Sequence, residues 1–361
     1  MAFLDAFAGK RVLVTGHTGF KGSWLSEWLI ALGADVHGIA LPPPTKPSLF
    51  EELHLAARMN HHVGDIRDPR LVLSLITSIA PDFVFHLAAQ PLVRLSYQQP
   101  IETLTTNIMG TAHVLEALRQ AQHRCTVVAV TTDKCYHNQE WVHSYRETDP
   151  LGGHDPYSAS KGAAEIVIAS YRNSFFSAPE SSVRLASARA GNVIGGGDWA
   201  LDRIFPDCVR ALESGSTIAV RNKTATRPWQ HVLEPLSGYL WLAACLNRGS
   251  PNGTLASAFN FGPSLDSNRT VAALVVEILK HWDGRWEDLS DPHAVHEANL
   301  LNLATDKAFH HLGWRPVWSF EETIERTVHW YKNANSAAAL TSHQIASYSA
   351  RAAEMLIPWA R

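Results

Sequence analysis

Apolar, β-branched runs alternate with helix-like patterns through the first half of the chain. This alternation predicts strands at residues 11–15, 36–41, around 63, 83–87, 126–131 and 183–188. Helices are predicted between the strands, at residues 24–32, 69–79, 108–120 and 158–172. Strands that alternate with helices form βαβ units with parallel strands. We therefore predict an α/β fold built on a Rossmann-type, doubly wound parallel sheet.

The pattern changes after about residue 190, where glycines and prolines divide the chain into short segments. This change predicts a smaller, mixed α/β C-terminal lobe that binds substrate. A helical pattern at residues 233–246 is expected to return to the first lobe. The predicted first domain comprises residues 1–190 with about 229–262, and the predicted second lobe comprises residues 191–228 with about 263–361.

Composition fits an ordinary globular protein of two lobes, with 361 residues, 46% hydrophobic and 18% charged. The sequence has no stretch of roughly 20 uninterrupted apolar residues, which a membrane span requires. Residues 1–10 lack the basic and apolar pattern of a signal peptide. We therefore expect a cytoplasmic protein with neither a membrane nor a nucleic acid as partner.

Cysteine and histidine spacing argues against a metal site. The four cysteines form no C-x-x-C pair, which disfavours a structural zinc site or a disulfide framework. The adjacent pairs His61-His62 and His310-His311 do not place two ligands on one helix face. The formal net charge is −3, so an anionic ligand requires local cations.

Three glycines, Gly16, Gly19 and Gly22, follow the first predicted strand and open the first predicted helix. Glycines in this context allow a tight turn and let backbone amides approach a pyrophosphate, so a dinucleotide site is predicted. The second predicted strand ends without the acid that would bind the ribose of NAD. The residues therefore leave NAD and NADP open. Asp65 is a candidate for the adenine edge.

Two groups of polar residues are candidates for catalysis. Tyr157 and Lys161 lie four residues apart on a predicted helix, hence on one face. A lysine cation beside a phenol is expected to lower the phenol pKa and make it a base for a hydroxyl. Thr132, Asp133 and Lys134 follow the fifth predicted strand, where ligands of doubly wound sheets bind. Asp133 and Lys134 are compatible either with acid–base chemistry or with a loop ion pair.

These features together resemble the extended short-chain dehydrogenases that act on nucleotide sugars. The resemblance rests on the glycines, on the run His86-Leu87-Ala88-Ala89, on Tyr157 with Lys161, and on Asn192. Longer stretches resemble the CDP-glucose 4,6-dehydratase group of that family, namely residues 16–24, 90–94, 132–136, 191–199 and 227–232. The match spans about residues 8–330. The dTDP-glucose group has glutamate at the position of Lys134 and an acid at the end of the second strand, and this chain differs at both.

The resemblance implies an NAD cofactor, CDP-glucose as substrate and specific site residues. The implied cofactor-binding residues are Gly16, Thr18, Gly19, Phe20, Lys21, Gly22, Asp65, Ile66, Leu87, Ala88, Ala89, Thr106, Thr131, Tyr157 and Lys161. The implied substrate-binding residues are Gln90, Arg94, Asn192, Arg203, Arg221, Arg227 and His231. The arginines suit phosphate oxygens, although a solvated surface is the alternative reading.

The resemblance also implies a mechanism. Tyr157, assisted by Lys161 and Thr132, takes the proton from the sugar O4 during oxidation at C4. Lys134 is placed as the base at C5, and Asp133 as the acid that expels the C6 hydroxyl. A homodimer built from the helices near residues 108–120 and 158–172 is implied as well.

Three other functions are compatible with parts of the pattern. A nucleotide-sugar 4-epimerase shares Tyr157 and Lys161 but does not need an acid–base pair at residues 133 and 134. A non-enzymatic NAD(P)-sensing module commonly lacks the tyrosine–lysine pair. A protein-interaction scaffold receives no support from the cationic residues. Loss of water, altered stereochemistry at unchanged mass, or no reaction with CDP-glucose would separate the dehydratase, the epimerase and the sensor.

Overall fold

The computed structural model describes residues 2–178, 180–249, 254–290 and 300–361. Its centre is a sheet of seven parallel strands. These strands are β1 (Arg11–Thr15), β2 (Asp35–Ala40), β3 (Asn60–Val63), β4 (Phe83–His86), β5 (Cys125–Val130), β6 (Val183–Ala190) and, later in the chain, β11 (Ala258–Phe261). The order across the sheet is β11-β6-β5-β4-β1-β2-β3. The predicted doubly wound parallel sheet is confirmed.

The sheet brings several loops together at one edge. Every residue of β4 and of β5 is buried, as expected for parallel strands that helices cover on both faces. In the register, Thr15 pairs with His86, so β1 and β4 end at the same level. The strand order reverses between these two strands. The loops after β1, β4, β5 and β6 therefore meet beside the point where ligands of doubly wound sheets bind.

Helices lie on both faces of the sheet and in the second lobe. They are α1 (Phe20–Ala31), α2 (Leu49–Glu52), α3 (Pro69–Ile79), α4 (Val93–Gln98), α5 (Pro100–Leu104), α6 (Gly110–Ala121), α7 (Pro156–Phe175), α8 (Ile204–Glu213), α9 (Leu233–Arg248), α10 (Val271–His281), α11 (Asp306–Leu312), α12 (Phe320–Lys332) and α13 (Ala337–Glu354). A π-helical segment, Thr105–Met109, precedes α6. None of the described helices is long and apolar enough to cross a membrane.

Local sequence explains where the two helices nearest the sheet edge begin. The helix predicted at residues 24–32 starts earlier, at Phe20, directly after the glycine turn. The helix predicted at residues 158–172 starts at Pro156, because the Asp155 side chain accepts a hydrogen bond from the Ser158 amide. Proline suits the first turn of a helix, where no intrahelical partner is needed.

The second lobe is built from short strands in three two-stranded sheets. β7 (Val193–Ile194) pairs in parallel with β10 (Gln230–His231), and β9 (Thr226–Pro228) pairs antiparallel with β12 (Asn268–Thr270). β8 (Ile218–Val220) pairs in parallel with β13 (Trp286–Asp288). The chain then returns to the main sheet, because α9 lies over β5 and β6 and β11 pairs with β6.

The C-terminal segment packs on the first lobe. In α13, Ser342 donates a hydrogen bond to Glu27 of α1 (3.2 Å), and Tyr348 packs edge-on against Trp28 (5.8 Å between centroids). Trp359 stacks on Phe3 at 4.9 Å. The sequence prediction assigned residues 263–361 to the second lobe. The segment from Ala337 onward differs from that assignment because its apolar side chains complete the core beneath α1.

Candidate active site

The loop between β1 and α1 is a glycine turn that leads directly into the helix. Gly16 has a positive φ of 78°, and a Cβ there would lie 2.8 Å from the Ala88 backbone. A Cβ on Gly22 would lie 2.2 Å from the Gly16 carbonyl oxygen. Glycine is therefore required at both positions. The first turn of α1 carries no acidic residue, so its amides suit an anion.

A cavity of about 1950 Å³ extends from this turn across the carboxyl ends of the strands. It is lined by all of the residues predicted to bind the cofactor, namely Gly16, Thr18, Gly19, Phe20, Lys21, Gly22, Asp65, Ile66, Leu87, Ala88, Ala89, Thr106, Thr131, Tyr157 and Lys161. The lining also includes the remaining predicted catalytic and substrate residues except one: Thr132, Asp133, Lys134, Gln90, Arg94, Asn192, Arg203, Arg221 and Arg227.

The end of β2 forms the outer wall of the cavity near the glycine turn. Ala40 and Leu41 line it, and the Thr18 hydroxyl donates a hydrogen bond to the Leu41 carbonyl (2.9 Å). Asp65 accepts hydrogen bonds from the Arg67 guanidinium at 2.6 and 2.8 Å. This contact lowers the pKa of the Asp65 carboxyl. The Asp65 carboxylate, which lines the cavity, is therefore already paired within the protein.

Tyr157 lies in the first turn of α7, buried against the loop after β5. Its amide donates a hydrogen bond to the Ser96 hydroxyl (3.2 Å). Burial raises the pKa of the Tyr157 phenol above its usual value, while the Thr132 hydroxyl and Arg203 act in the opposite direction. The sequence had led us to expect that Lys161 would lower this pKa. Among the described groups, burial outweighs the contacts that favour the phenolate, so the net shift of this pKa is upward.

Lys161 lies one helical turn beyond Tyr157 and is buried. Burial lowers the pKa of its ammonium to about 8, while the Glu165 carboxylate opposes that shift. In the part of the chain that the structure describes, no side chain accepts a hydrogen bond from this ammonium. Lys161 thus presents an unsatisfied donor to the cavity.

Asp133 and Lys134 lie on a short 3-10 turn that follows β5 directly, Asp133–Cys135. The Thr132 hydroxyl donates to Asp133 Oδ1 (2.8 Å) and caps the turn. Burial raises the pKa of the Asp133 carboxyl, with Lys134 and Thr132 opposing it. A Cβ on Gly191 would lie 2.9 Å from Asp133 Oδ2, so a glycine after β6 leaves room for this carboxyl. A buried carboxyl of raised pKa is suited to donate a proton.

The arginines predicted to bind phosphate line the cavity from the second lobe and from α4. Arg203 forms an ion pair with Asp198 (2.8 Å). Asp202 accepts from Arg221 (2.6 Å) and lies 3.6 Å from an Arg94 nitrogen. The sequence analysis identified the arginines but not Asp198 and Asp202, the carboxylates that pair with them. Asp198 lies within the stretch 191–199 that carries the family resemblance, so it was the one with a sequence signal.

Lys21 connects the glycine turn to the predicted catalytic residues. Its ammonium donates to the Tyr239 hydroxyl of α9 at 3.5 Å. Burial, together with the Arg203 and Lys161 cations, lowers the pKa of this ammonium to about 8, while Asp133 opposes the shift. Lys21 was predicted only as a cofactor ligand, but it also interacts electrostatically with Arg203, Lys161 and Asp133.

His231 is the predicted substrate residue that the structure does not bring to the cavity. It lies in β10, fully buried, and its Nδ1 accepts a hydrogen bond from the Leu233 amide (3.2 Å). Trp24 and Trp318 pack edge-on against its ring, at 5.7 and 4.8 Å. These contacts make His231 part of the core between α1 and the second lobe. The predicted substrate contact is corrected accordingly.

Gln90 lines the cavity, but its side chain is engaged within its own loop. It donates to the Leu92 carbonyl (3.1 Å) and to the Thr103 hydroxyl (2.8 Å). These bonds fix the turn that carries Arg94 into α4. No cluster of three or more histidine, cysteine, aspartate or glutamate side chains that could hold a metal ion occurs among the described residues.

Comparison with known proteins finds matches along nearly the whole chain. The family model described as GDP-mannose 4,6 dehydratase matches residues 13–327. The chain is 51% identical over 329 residues to the CDP-glucose 4,6-dehydratase of Salmonella typhimurium, covering 90% of this chain and 91% of that protein.

Solved structures agree with the fold. DesIV, a dTDP-glucose 4,6-dehydratase from Streptomyces venezuelae solved with NAD and TYD bound, matches with a TM-score of 0.74 and 25% identity over 91% of this chain and 99% of that chain. A UDP-glucose 4-epimerase from Thermotoga maritima matches with a TM-score of 0.75 and 22% identity, covering 90% and 99%. The epimerase likeness is one of fold alone.

Proposed function

Because the chain belongs to the GDP-mannose 4,6 dehydratase family, we propose that it is a nucleotide-sugar 4,6-dehydratase, a lyase, which acts on CDP-glucose with NAD as its cofactor. It converts CDP-D-glucose to CDP-4-dehydro-6-deoxy-D-glucose and water. The observation that supports this most strongly is the position of Asp133 and Lys134 in one cavity with Tyr157 and Lys161. An epimerase does not need the first pair.

The residues around the glycine turn fit a dinucleotide. The turn has no space for side chains at Gly16 and Gly22, and the start of α1 offers amides to a pyrophosphate. Lys161 supplies a buried donor of the kind that binds ribose hydroxyls. NAD, when bound, would accept a hydride from the sugar C4 and later return it to C6. The missing acid at the end of β2 predicts a weak hold on the adenosine ribose.

The chain's own residues supply the proton transfers of the oxidation. Tyr157 takes the proton from the sugar O4, and the Thr132 hydroxyl and Arg203 favour its phenolate. Lys161, as a cation, stabilises the same phenolate when the proton moves.

The elimination needs one base and one acid on the turn after β5. Oxidation at C4 acidifies the C5 proton. Lys134 removes this proton when its amine is unprotonated and returns it to C5 when C6 is reduced. Asp133 protonates the C6 hydroxyl as the C6–oxygen bond breaks, and water leaves. Its buried position and raised pKa keep a proton available for this step.

One incubation tests the proposed function. The purified chain, supplied with NAD and CDP-glucose, should yield a product lighter by one water, as measured by mass spectrometry. Unchanged mass with altered stereochemistry at C4 would instead identify an epimerase. Complete recovery of unaltered CDP-glucose would contradict an enzymatic role with this substrate.

Arg227 is proposed to contact the substrate diphosphate. Arg227→Ala should raise the KM for CDP-glucose by about 30-fold or more, since truncating a buried charged contact typically costs about 2–5 kcal/mol. The kcat should change less than the KM. The matched control is Arg269→Ala, because Arg269 pairs with Arg227 across the β9–β12 ladder but does not line the cavity. Equal KM values for the two variants would show that Arg227 does not bind substrate.

The chain is further proposed to form a homodimer through α6 and α7. Several large apolar side chains are exposed where α5, the π-helical segment and α7 pack together. Ile101 is 73% exposed, Met109 48% and Ile166 61%. An isologous contact between two such faces would cover these side chains.

Ile166→Glu should convert the dimer into a monomer, because it places a charge in the centre of the proposed contact. Analytical ultracentrifugation measures the mass. Val276→Glu is the matched control, since Val276 is an exposed aliphatic side chain on a different helix, α10. If both variants sediment like the parent chain, the interface lies elsewhere.

We also propose a cytoplasmic location and a role in making bacterial deoxysugars such as those of lipopolysaccharide. The support for the role is the 51% identity to the Salmonella protein. A 4-dehydro-6-deoxy sugar nucleotide is a reactive ketone, so an enzyme that reduces or aminates it is expected to use the product.

A further inference from the structure

A buried ion pair lies beneath the catalytic residues, outside the cavity lining. Glu165 of α7 and Arg189 of β6 are joined at 2.8 Å between Arg189 Nη2 and Glu165 Oε2. Both side chains are almost fully buried. A buried ion pair is weak evidence for stability, because desolvation offsets much of the attraction. Its partners on either side indicate another role.

Glu165 faces the catalytic lysine and the end of β5. It lies four residues after Lys161 and therefore on the same face of α7. Its carboxylate accepts hydrogen bonds from the Thr131 hydroxyl (2.5 Å) and the Ser187 hydroxyl (2.9 Å). Burial would raise the Glu165 pKa, but Arg189 and these hydroxyls lower it, so Glu165 is an anion.

The charged and titratable groups around Lys161 come from four elements. They are Tyr157 and Glu165 on its own helix, Cys135 after β5, Lys21 on α1 and His86 on β4. Glu165 is the one carboxylate in this set of described residues. It is thus the main group that opposes the loss of the Lys161 proton on burial.

Arg189 contacts the turn that carries the proposed acid and base. Its Nη1 donates to the Tyr136 hydroxyl (2.8 Å), and its guanidinium lies 4.9 Å from the centre of the Tyr136 ring. The Tyr136 hydroxyl donates in turn to Asn260 Oδ1 of β11 (2.7 Å). Tyr136 is the residue that ends the turn Asp133–Cys135. Arg189 therefore anchors that turn to two strands of the main sheet.

We propose that Glu165 and Arg189 are positioning residues for the two halves of the reaction. Glu165 keeps Lys161 charged for the oxidation at C4. Arg189, through Tyr136, holds Asp133 and Lys134 in place for the elimination. This inference rests on the proposed dehydratase function. If the pair served stability alone, its removal would lower the melting temperature of the protein. It would alter neither the pH dependence of the reaction nor the relative rates of oxidation and elimination.

Glu165→Gln tests the first half. Without the carboxylate, Lys161 should lose its proton at lower pH, so the alkaline limb of the kcat profile should move down by about one pH unit. The KM for CDP-glucose should stay near the parental value. Glu165→Asp keeps the charge, so its alkaline limb should lie close to the parental pH. The matched control is Glu27→Gln, which breaks the Arg58–Glu27 ion pair (2.6 Å), whose residues lie outside the cavity lining.

Arg189→Lys tests the second half and retains both charges. A lysine has no fork with which to hold Glu165 and Tyr136 together. Elimination should slow about tenfold relative to oxidation, so reduced cofactor should accumulate during turnover, measured by its absorbance. The parent and Glu27→Gln should show no such accumulation. If Glu165→Gln fails to fold, this variant alone decides the inference.

The outcomes separate the inference from the proposed function. A parent chain that releases no water from CDP-glucose overturns both. An active parent overturns the inference alone if the Glu165→Gln limb stays at the parental pH and Arg189→Lys accumulates no reduced cofactor. The inference is also overturned if the Glu165 and Arg189 variants lose activity only in proportion to their melting temperatures, as the Glu27→Gln control is expected to do.

Discussion

Tyr157→Phe is expected to lower the rate of C4 oxidation by about 10²–10⁴, since it removes the phenolic proton acceptor and leaves the fold intact. The side chain is buried in the first turn of α7, and its contact with Ser96 is made through the backbone amide, which phenylalanine retains. A single-turnover measurement with CDP-glucose, following the absorbance of reduced cofactor, reports this step. Binding of NAD should be unchanged.

The same helix provides a matched control. Tyr171 lies farther along α7, where its hydroxyl donates to Glu116 (3.2 Å) and does not line the cavity. Tyr171→Phe should therefore oxidise CDP-glucose at the parental rate. Near-normal turnover of Tyr157→Phe would mean that another group removes the O4 proton, and the assignment of Tyr157 would be wrong.

Asp133→Asn should stop the reaction between its two halves. Tyr157 and Lys161 remain, so oxidation at C4 is expected to proceed. The proton donor for the C6 hydroxyl is gone, so water loss should slow by about 10²–10⁴. With excess CDP-glucose, the absorbance of reduced cofactor should rise and persist. Asparagine keeps an oxygen that can accept the hydrogen bond from Thr132, so the turn should hold its shape.

The control for this variant is Asp149→Asn, because Asp149 forms an ion pair with Arg146 outside the cavity lining. Dehydration at the parental rate by Asp133→Asn, without accumulation of reduced cofactor, would make Asp133 only a loop carboxylate. Failure of both steps in a folded variant that binds NAD would show that Asp133 positions the substrate. The acid would then be a different residue.

The sheet and the glycine turn could be predicted because their signals are local. β5 is buried along its whole length because helices cover both faces of the strand. Its residues are apolar except Thr126, and this run is visible in the sequence. The glycines after β1 are required by close backbone contacts within the turn itself. Tyr157 and Lys161 were predicted to share a face because helical geometry fixes a four-residue spacing.

Features set by tertiary packing could not be predicted in this way. His231 stands in a stretch that resembles the family, yet Trp24 and Trp318 enclose it, and those rings come from distant parts of the chain. The direction of the Tyr157 pKa shift depended on burial, which a helical spacing does not report. Asp202 has no sequence signal, because its role follows from two arginines that only the fold brings to it.

The stacking of Trp359 on Phe3 has a consequence for the order in which the molecule is made. The core under α1 includes residues from both ends of the described chain, with Phe3, Trp28 and Trp359 in mutual ring contact. During translation, that core therefore lacks one of its rings until residue 359 has left the ribosome. Most of the first lobe is synthesised early, but its core is completed only when the last residues emerge. The nascent first lobe should therefore depend on chaperones for longer than its position in the sequence suggests.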